Sequence, residues 1–245
     1  MKKLALPALP LLAAAALTSG PALAQDHSPV PAAHHNYDEQ LSADNSVLLL
    51  VDLQDLFGLT ISSIDQTNLA NNAAGIAEAA KVFNVPTILT TANAKTFAGP
   101  FFAAAANARK DLTIYDRTSI NAWTDPRIVG DVHKTGRKKI IIGGLWTASC
   151  VMLPALAALS EGYDVYVLTD VSGDINRETH ERAVQRLVQA GATPITWVAL
   201  MLEWQKDWAR KDTAGLVIEI AKKYGGAWGL AASYAGAMHV GSESK

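Results

Sequence analysis

The chain has 245 residues, 49% of them hydrophobic and 18% charged, enough to bury the core of one domain. A formal net charge of −2 and the lack of any basic stripe argue against a nucleic-acid partner. One cysteine, Cys150, excludes an intrachain disulfide framework.

The N-terminus has the pattern of an export signal. Lys2 and Lys3 precede an apolar run from Leu4 to Leu17, and Ala22–Leu23–Ala24 forms an A-x-A cleavage site. The run is too short to span a bilayer and contains Pro7 and Pro10, so a membrane anchor is the weaker reading. Residues 1–24 are therefore expected to be a signal peptide. The mature chain would start at Gln25, in an exported, periplasmic setting with no further membrane attachment. Residues 25–43, with two prolines and His34–His35, read as a flexible tail. The folded domain is expected over 44–245.

Ser46 to Val51 is a continuous apolar run closed by Asp52, as in a central parallel strand buried on both faces. Leu69, Ala73, Ile76, Ala80 and Phe83 follow at helical spacing. Val85 to Thr91 predicts a second strand, and the alanine-rich stretch Phe97 to Arg109 a helix. Leu112 to Tyr115 predicts a third strand ending before Asp116–Arg117. Asp125 to Gly136 reads as a helix closed by glycine.

A fourth strand is expected over Lys139 to Gly143, with a buried helix from Cys150 to Glu161. Pro154, early in that helix, has no N–H to give the carbonyl of Cys150. Tyr163 to Thr169 is a fifth strand ending at Asp170, Glu178 to Ala190 an amphipathic helix, and Pro194 to Val198 a sixth strand. Helical patterns over 199–206 and 213–224 close the domain. This alternation predicts a three-layer α/β sandwich: a mostly parallel six-stranded sheet, order 3-2-1-4-5-6, with helices on both faces.

In that order the first and fourth strands meet at the switch point, where open α/β sheets bind ligands. Asp52, Arg117 and Cys150 follow strands one, three and four, so a carboxylate, a guanidinium and a thiol converge there. Cys150 at a helix start is expected to feel the helix dipole, which favours the thiolate and lowers the pKa. Each residue has a plainer role to set beside this: a turn cap for Asp52, a surface ion pair for Arg117, a small buried hydrophobe for Cys150. Asp170 is expected to hold its following loop through backbone hydrogen bonds.

With these residues in view, the chain resembles the isochorismatase-like cysteine hydrolases, in their YcaC-like branch. The resemblance rests on Leu50–Val51–Asp52–Leu53–Gln54, Pro86 to Thr91, Arg117 with Ile120 to Trp123, and Gly143 to Cys150. It continues through Ala155 to Leu159, Val167 to Gly173, Gln189 to Ala192, Glu203 and Asp207–Trp208. It implies an Asp–basic–Cys triad of Asp52, Arg117 and Cys150, with arginine where amidases of established activity usually carry lysine.

It further implies an oxyanion site and cis peptide at Trp146–Thr147, with the amide of Cys150 contributing, and hydrolysis of a small amide or related C–N bond through a thioester. Homo-oligomerisation is also implied, the stretch Trp204 to Met238 being a candidate contact between subunits. Gln54, Asn121 and Trp123 are candidate substrate-binding residues; Trp123 fits the core better than the pocket. Some relatives bind a metal through Asp and His, but Thr91 to Lys95 has no histidine, and His133, His180 and His239 lack ligand spacing. No metal and no cofactor are expected. The competing readings are a non-catalytic, oligomeric small-ligand binder on the same fold and a thiol redox sensor.

Overall fold

Strand β1 (Ser46–Val51) is buried along its whole length, and its alternate side chains feed two separate cores. In the computed structural model, which describes residues 40–240, Leu48 and Leu50 point to one face and Val47, Leu49 and Val51 to the other. Each is fully buried and contributes roughly 2 kcal/mol of transfer free energy. The sheet is built outward from this strand as β3-β2-β1-β4-β5-β6, every pairing parallel. The α/β architecture and strand order match those expected from the sequence.

The other strands are β2 (Thr87–Ala92), β3 (Ile114–Arg117), β4 (Lys139–Gly144), β5 (Asp164–Leu168) and β6 (Thr193–Ile195). The first core holds α1 (Asp55–Leu59), α2 (Gln66–Val82), α3 (Ala103–Ala108), α7 (Trp197–Gln205) and α8 (Ala214–Tyr224). The second holds α4 (Pro126–Lys134), α5 (Met152–Ser160) and α6 (Arg177–Gln189). Helix α9 (Ala227–Val240) packs against α8. Side-chain caps set several helix starts: Asp65 accepts from Asn68 N, Asp125 from Arg127 N with Pro126 following, and Asn176 from Thr179 N.

Four expectations shift. Leu41 is buried in the first core and the Ser42 carbonyl accepts from the Ser46 hydroxyl, so ordered packing reaches beyond the expected start at residue 44. The helix expected from Phe97 to Arg109 is split. A π turn covers Ala94–Ala98, then Gly99, at φ +77°, and Pro100 break the helix before α3. Strand β3 runs through Asp116 and Arg117, because Ala92 of β2 pairs with Arg117. Strand β6 stops at Ile195, since Asp170 Oδ1 accepts from Trp197 N at 2.9 Å and starts α7 there. The expected signal peptide, cleavage site and the tail up to residue 39 lie outside the described residues. Among those described, no helix is long and apolar enough to cross a membrane.

Candidate active site

Asp52 is the first residue past β1 and is fully buried. Its backbone is left-handed, φ +52°, with its N–H donating to Thr90 O and its carbonyl accepting from Gln54 N. Aspartate tolerates this conformation better than most residues, and such strained positions cluster at functional sites. Arg117 ends β3, two strand spacings away, a span of about 10 Å. Its side chain crosses the end of β2, and Nη2 donates to Asp52 Oδ2 at 2.8 Å, with both groups buried. Nη1 donates to the Ser119 carbonyl. The surface-ion-pair role is therefore excluded for Arg117.

Cys150 lies beyond β4, which reaches the site through Gly143 and Gly144. Gly144 has φ +150°, and a Cβ there would sit 1.8 Å from the Val51 carbonyl oxygen; only glycine lets β4 close on β1 at this point. The peptide between Leu145 and Trp146 is cis, one residue earlier than expected. Leu145 still donates to Val51 O and bridges Gly173, so the turn begins only after Leu145. Thr147–Val151 then forms a π turn ahead of α5, rather than the helix start expected at Cys150. Val151 N donates to Trp146 O across five residues, and Pro154 in the next turn offers the Cys150 carbonyl no N–H.

The amides of this turn are unequally occupied. Thr147 N donates to Gly173 O at 2.9 Å, Ala148 N to Asp174 Oδ2 at 2.7 Å, and Ser149 N to Trp146 O at 3.1 Å. Thr147 is thus not an oxyanion donor, correcting that expectation. The Trp146 amide carries no backbone hydrogen bond among the described residues, and the Cys150 amide carries none to a group outside the turn.

Cys150 is 8% exposed, and its thiol receives the Ser149 hydroxyl at 3.8 Å and faces Asp52. Burial and the neighbouring Asp52 carboxylate push the thiol up to about 11, opposite to the lowering expected from a helix dipole. Burial raises Asp52 from 3.8 to about 6, with Arg117 pulling against it. At neutral pH the resting site therefore holds an ionised carboxylate beside a protonated thiol.

The remaining candidates make hydrogen bonds within the fold. Gln54 is buried, with Nε2 donating to Gly99 O at 2.7 Å and Ala92 O at 3.3 Å, and Oε1 accepting from Ala92 N. It ties the end of β2 to the segment after the π turn, with its side-chain amide committed to backbone groups. Asn121 Oδ1 accepts from Trp123 N, capping a 3-10 turn. Trp123 is in the second core, edge-on to Tyr163, with Nε1 on Glu161 at the far end of α5 from Cys150. It is core, not pocket.

Three site features carried no sequence signal. Asp174 braces the turn through Ala148 N and holds its own loop through Ile175 N. His180 Nδ1 lies 2.8 Å from the Thr147 hydroxyl. Trp146 packs on Phe57 at 5.0 Å and donates to Thr60, with Phe57 in turn beside the exposed Phe97, making an aromatic wall. His133 pairs with Glu161 at 3.5 Å. Among the described residues, no group of three or more His, Cys, Asp or Glu side chains is placed to hold a metal.

The family model of the isochorismatase domain matches residues 46–199. The probable hydrolase YcaC of Escherichia coli is 39% identical over 178 residues, covering 72% of this chain and 85% of that protein. The crystal structure of the Escherichia coli YcaC gene product, an octameric hydrolase of unknown specificity, superposes with a TM-score of 0.74 at 36% identity, covering 80% of this chain and 96% of that one. YcaC from Pseudomonas aeruginosa, solved with hexane-2,5-diol and covalent acrylamide, gives a TM-score of 0.76 at 31% identity, covering 81% and 98%. With the domain matched over most of the described sheet and YcaC aligned across nearly its whole length, this chain belongs to the isochorismatase family of hydrolases, in its YcaC-like branch.

Proposed function

We propose that this chain is an exported cysteine hydrolase cleaving a small amide or related C–N bond, with Cys150 as nucleophile and Asp52 as sole proton carrier. The observation that carries the reading is the buried Asp52 carboxylate set between the Arg117 guanidinium and the only thiol. As Sγ bonds to the substrate carbonyl carbon, its proton passes to Asp52, and negative charge moves onto the carbonyl oxygen. The amides of Trp146 and Cys150 receive that oxyanion; one such donor is typically worth about 3 kcal/mol. Collapse breaks the C–N bond, Asp52 protonates the departing amine, and a thioester remains. Water then adds, giving its proton to Asp52; the thiolate leaves and is reprotonated.

Arginine keeps its proton throughout, so Arg117 orients the carboxylate and keeps it ionised at neutral pH. A thiol held protonated disfavours the redox-sensor reading, which needs a reactive thiolate. The aromatic wall of Phe57, Phe97 and Trp146 suits a small acyl group.

Cys150→Ala is expected to abolish turnover with the fold intact, in a screen of small amides and carbamates with mass spectrometry for an acyl adduct on Cys150. Turnover surviving in that variant refutes the nucleophile. Export is supported by the Lys2–Lys3, apolar-run and Ala22–Leu23–Ala24 sequence, and predicts a periplasmic protein starting at Gln25; a chain with intact Met1 found only in the cytoplasmic fraction refutes it.

Homo-oligomerisation is supported by α9, which has no Asp, Glu, Lys or Arg yet leaves Leu230, Tyr234 and Met238 at 73%, 68% and 62% exposure, one helical face apart by fours. The octameric Escherichia coli relative points the same way. Sedimentation should show an oligomer that Leu230→Asp with Tyr234→Asp dissociates; a monomeric wild type refutes it.

A further inference from the structure

The turn carrying Cys150 is held by a side-chain clamp from outside the triad. The Thr147 side chain is fully buried, and its hydroxyl lies 3.0 Å from the Gly173 carbonyl and 2.8 Å from His180 Nδ1. A hydroxyl has one proton to give. If it goes to Gly173, Nδ1 must itself carry a proton and donate to Thr147 Oγ1. That assignment satisfies all three groups in one chain, from imidazole through hydroxyl to carbonyl.

His180 lies in the first turn of α6, which packs against the π turn. The Gly173 carbonyl also accepts Thr147 N, so one loop carbonyl fixes both the backbone and the side chain of Thr147. The loop is strapped from its other side, where Ser62 N and Ser63 N donate to Asp174 O, and the Ser62 hydroxyl donates to Ile175 O. The Asp174 carboxylate adds a second grip, on Ala148 N. These bonds hold Thr147 and Ala148, the two residues between Trp146 and Ser149–Cys150, and so fix the angle between the Trp146 and Cys150 amides.

We propose that His180 is a positioning residue for the oxyanion site: through the Thr147 hydroxyl it sets the direction of the Trp146 and Cys150 N–H groups without touching the reacting atoms. The inference rests on the cysteine-hydrolase reading above, and two probes separate its failure from that of the reading. p-Nitrophenyl acetate is attacked at its carbonyl: the S–C bond forms, the thiol proton moves to Asp52, charge builds on the carbonyl oxygen, and p-nitrophenolate leaves. Iodoacetamide is attacked at its methylene carbon, with iodide leaving and no charge on oxygen. The first reaction uses the oxyanion site and the second does not.

With Cys150→Ala as background, the p-nitrophenolate burst and the iodoacetamide rate are measured at pH 7.5, well below the melting temperature of each variant. His180→Leu is expected to slow the burst roughly ten- to hundredfold, part of the 10²–10³ that a whole donor commands, and to leave alkylation within about twofold. His180→Asn, whose Nδ2–H replaces Nδ1–H, should recover most of the burst. Thr147→Val should match His180→Leu, with the double variant no slower than either, as expected of residues acting in series. Thr147→Ser, which retains the hydroxyl, should stay near wild type.

Equal losses on both probes, an unchanged burst in His180→Leu, or fully additive effects in the double variant overturn the clamp. A wild-type protein without a Cys150-dependent burst overturns the nucleophile reading and the clamp with it.

Discussion

Asp52→Asn pits two physical effects of the same carboxylate against each other. In the wild type the thiol is raised from an ordinary 9.0 to about 11. At pH 7.5 its thiolate fraction is therefore roughly a hundredfold below that of an unperturbed thiol. Desolvation is the largest cause of that rise and Asp52 the next, so replacing the carboxylate returns only part of the hundredfold, on the order of tenfold. The same replacement removes the proton acceptor, and general-base assistance typically contributes about 10²–10⁴. The net expectation is an alkylation rate with iodoacetamide roughly 10- to 10³-fold lower at pH 7.5, followed by intact mass on Cys150. The wild-type rate should climb through about pH 6 as Asp52 ionises and then level; the variant should lack that step and rise only in the alkaline range. An Asp52→Asn protein that alkylates faster than wild type at pH 7.5 refutes the base assignment and makes Asp52 only a suppressor of the thiolate.

Arg117→Met should leave Asp52 as an uncompensated buried carboxylate, costing about 3–5 kcal/mol at pH 8 and less at pH 5, where the carboxyl takes up a proton. Urea unfolding at both pH values checks this, and an equal loss at both refutes it. Asp170 is raised from 3.8 to about 6 by burial, so the folded state holds its proton longer than the unfolded chain, and stability falls as pH rises between about 4 and 6. Asp170→Asn keeps an acceptor for Trp197 N and should flatten this fall by about 2 kcal/mol, partial exposure being allowed for; unfolding curves at pH 4 and 7 with an unaltered difference speak against it. Gly144→Ala should cost at least about 3 kcal/mol in thermal or urea unfolding, because its methyl group meets the Val51 carbonyl; a wild-type melting temperature refutes the close approach of β4 to β1.

What the sequence disclosed follows from rules that act over short distances. The apolar run Ser46–Val51 ends at a lone aspartate, and a parallel sheet must put that residue, Arg117 and the Cys150 turn at one edge. What it did not disclose depends on pairings of distant segments. The cis peptide precedes Trp146 rather than following it, and Gln54 turns to the backbone of Ala92 and Gly99, which no spacing marks. The thiol's upward shift depends on burial and on the distance to Asp52, both properties of the packed state. His180 looked like an unremarkable helix residue, since its partner Thr147 lies on the far side of β5 in the sequence.

The arginine at position 117 bears most on the chemistry. A lysine there would be a second group whose proton could move, and burial readily shifts lysine. Guanidinium removes that option, so in the proposed cycle every proton passes through Asp52. Such a carrier needs a pKa near the working pH, because it must take a proton from the thiol and later give one to the amine. Burial alone would leave Asp52 too reluctant to ionise, and an exposed ion pair would make it too weak a base. The observed setting balances the two: complete burial raises the carboxyl and the Arg117 contact at 2.8 Å draws it back to about 6. Arginine in lysine's place is thus consistent with hydrolysis by a single proton carrier.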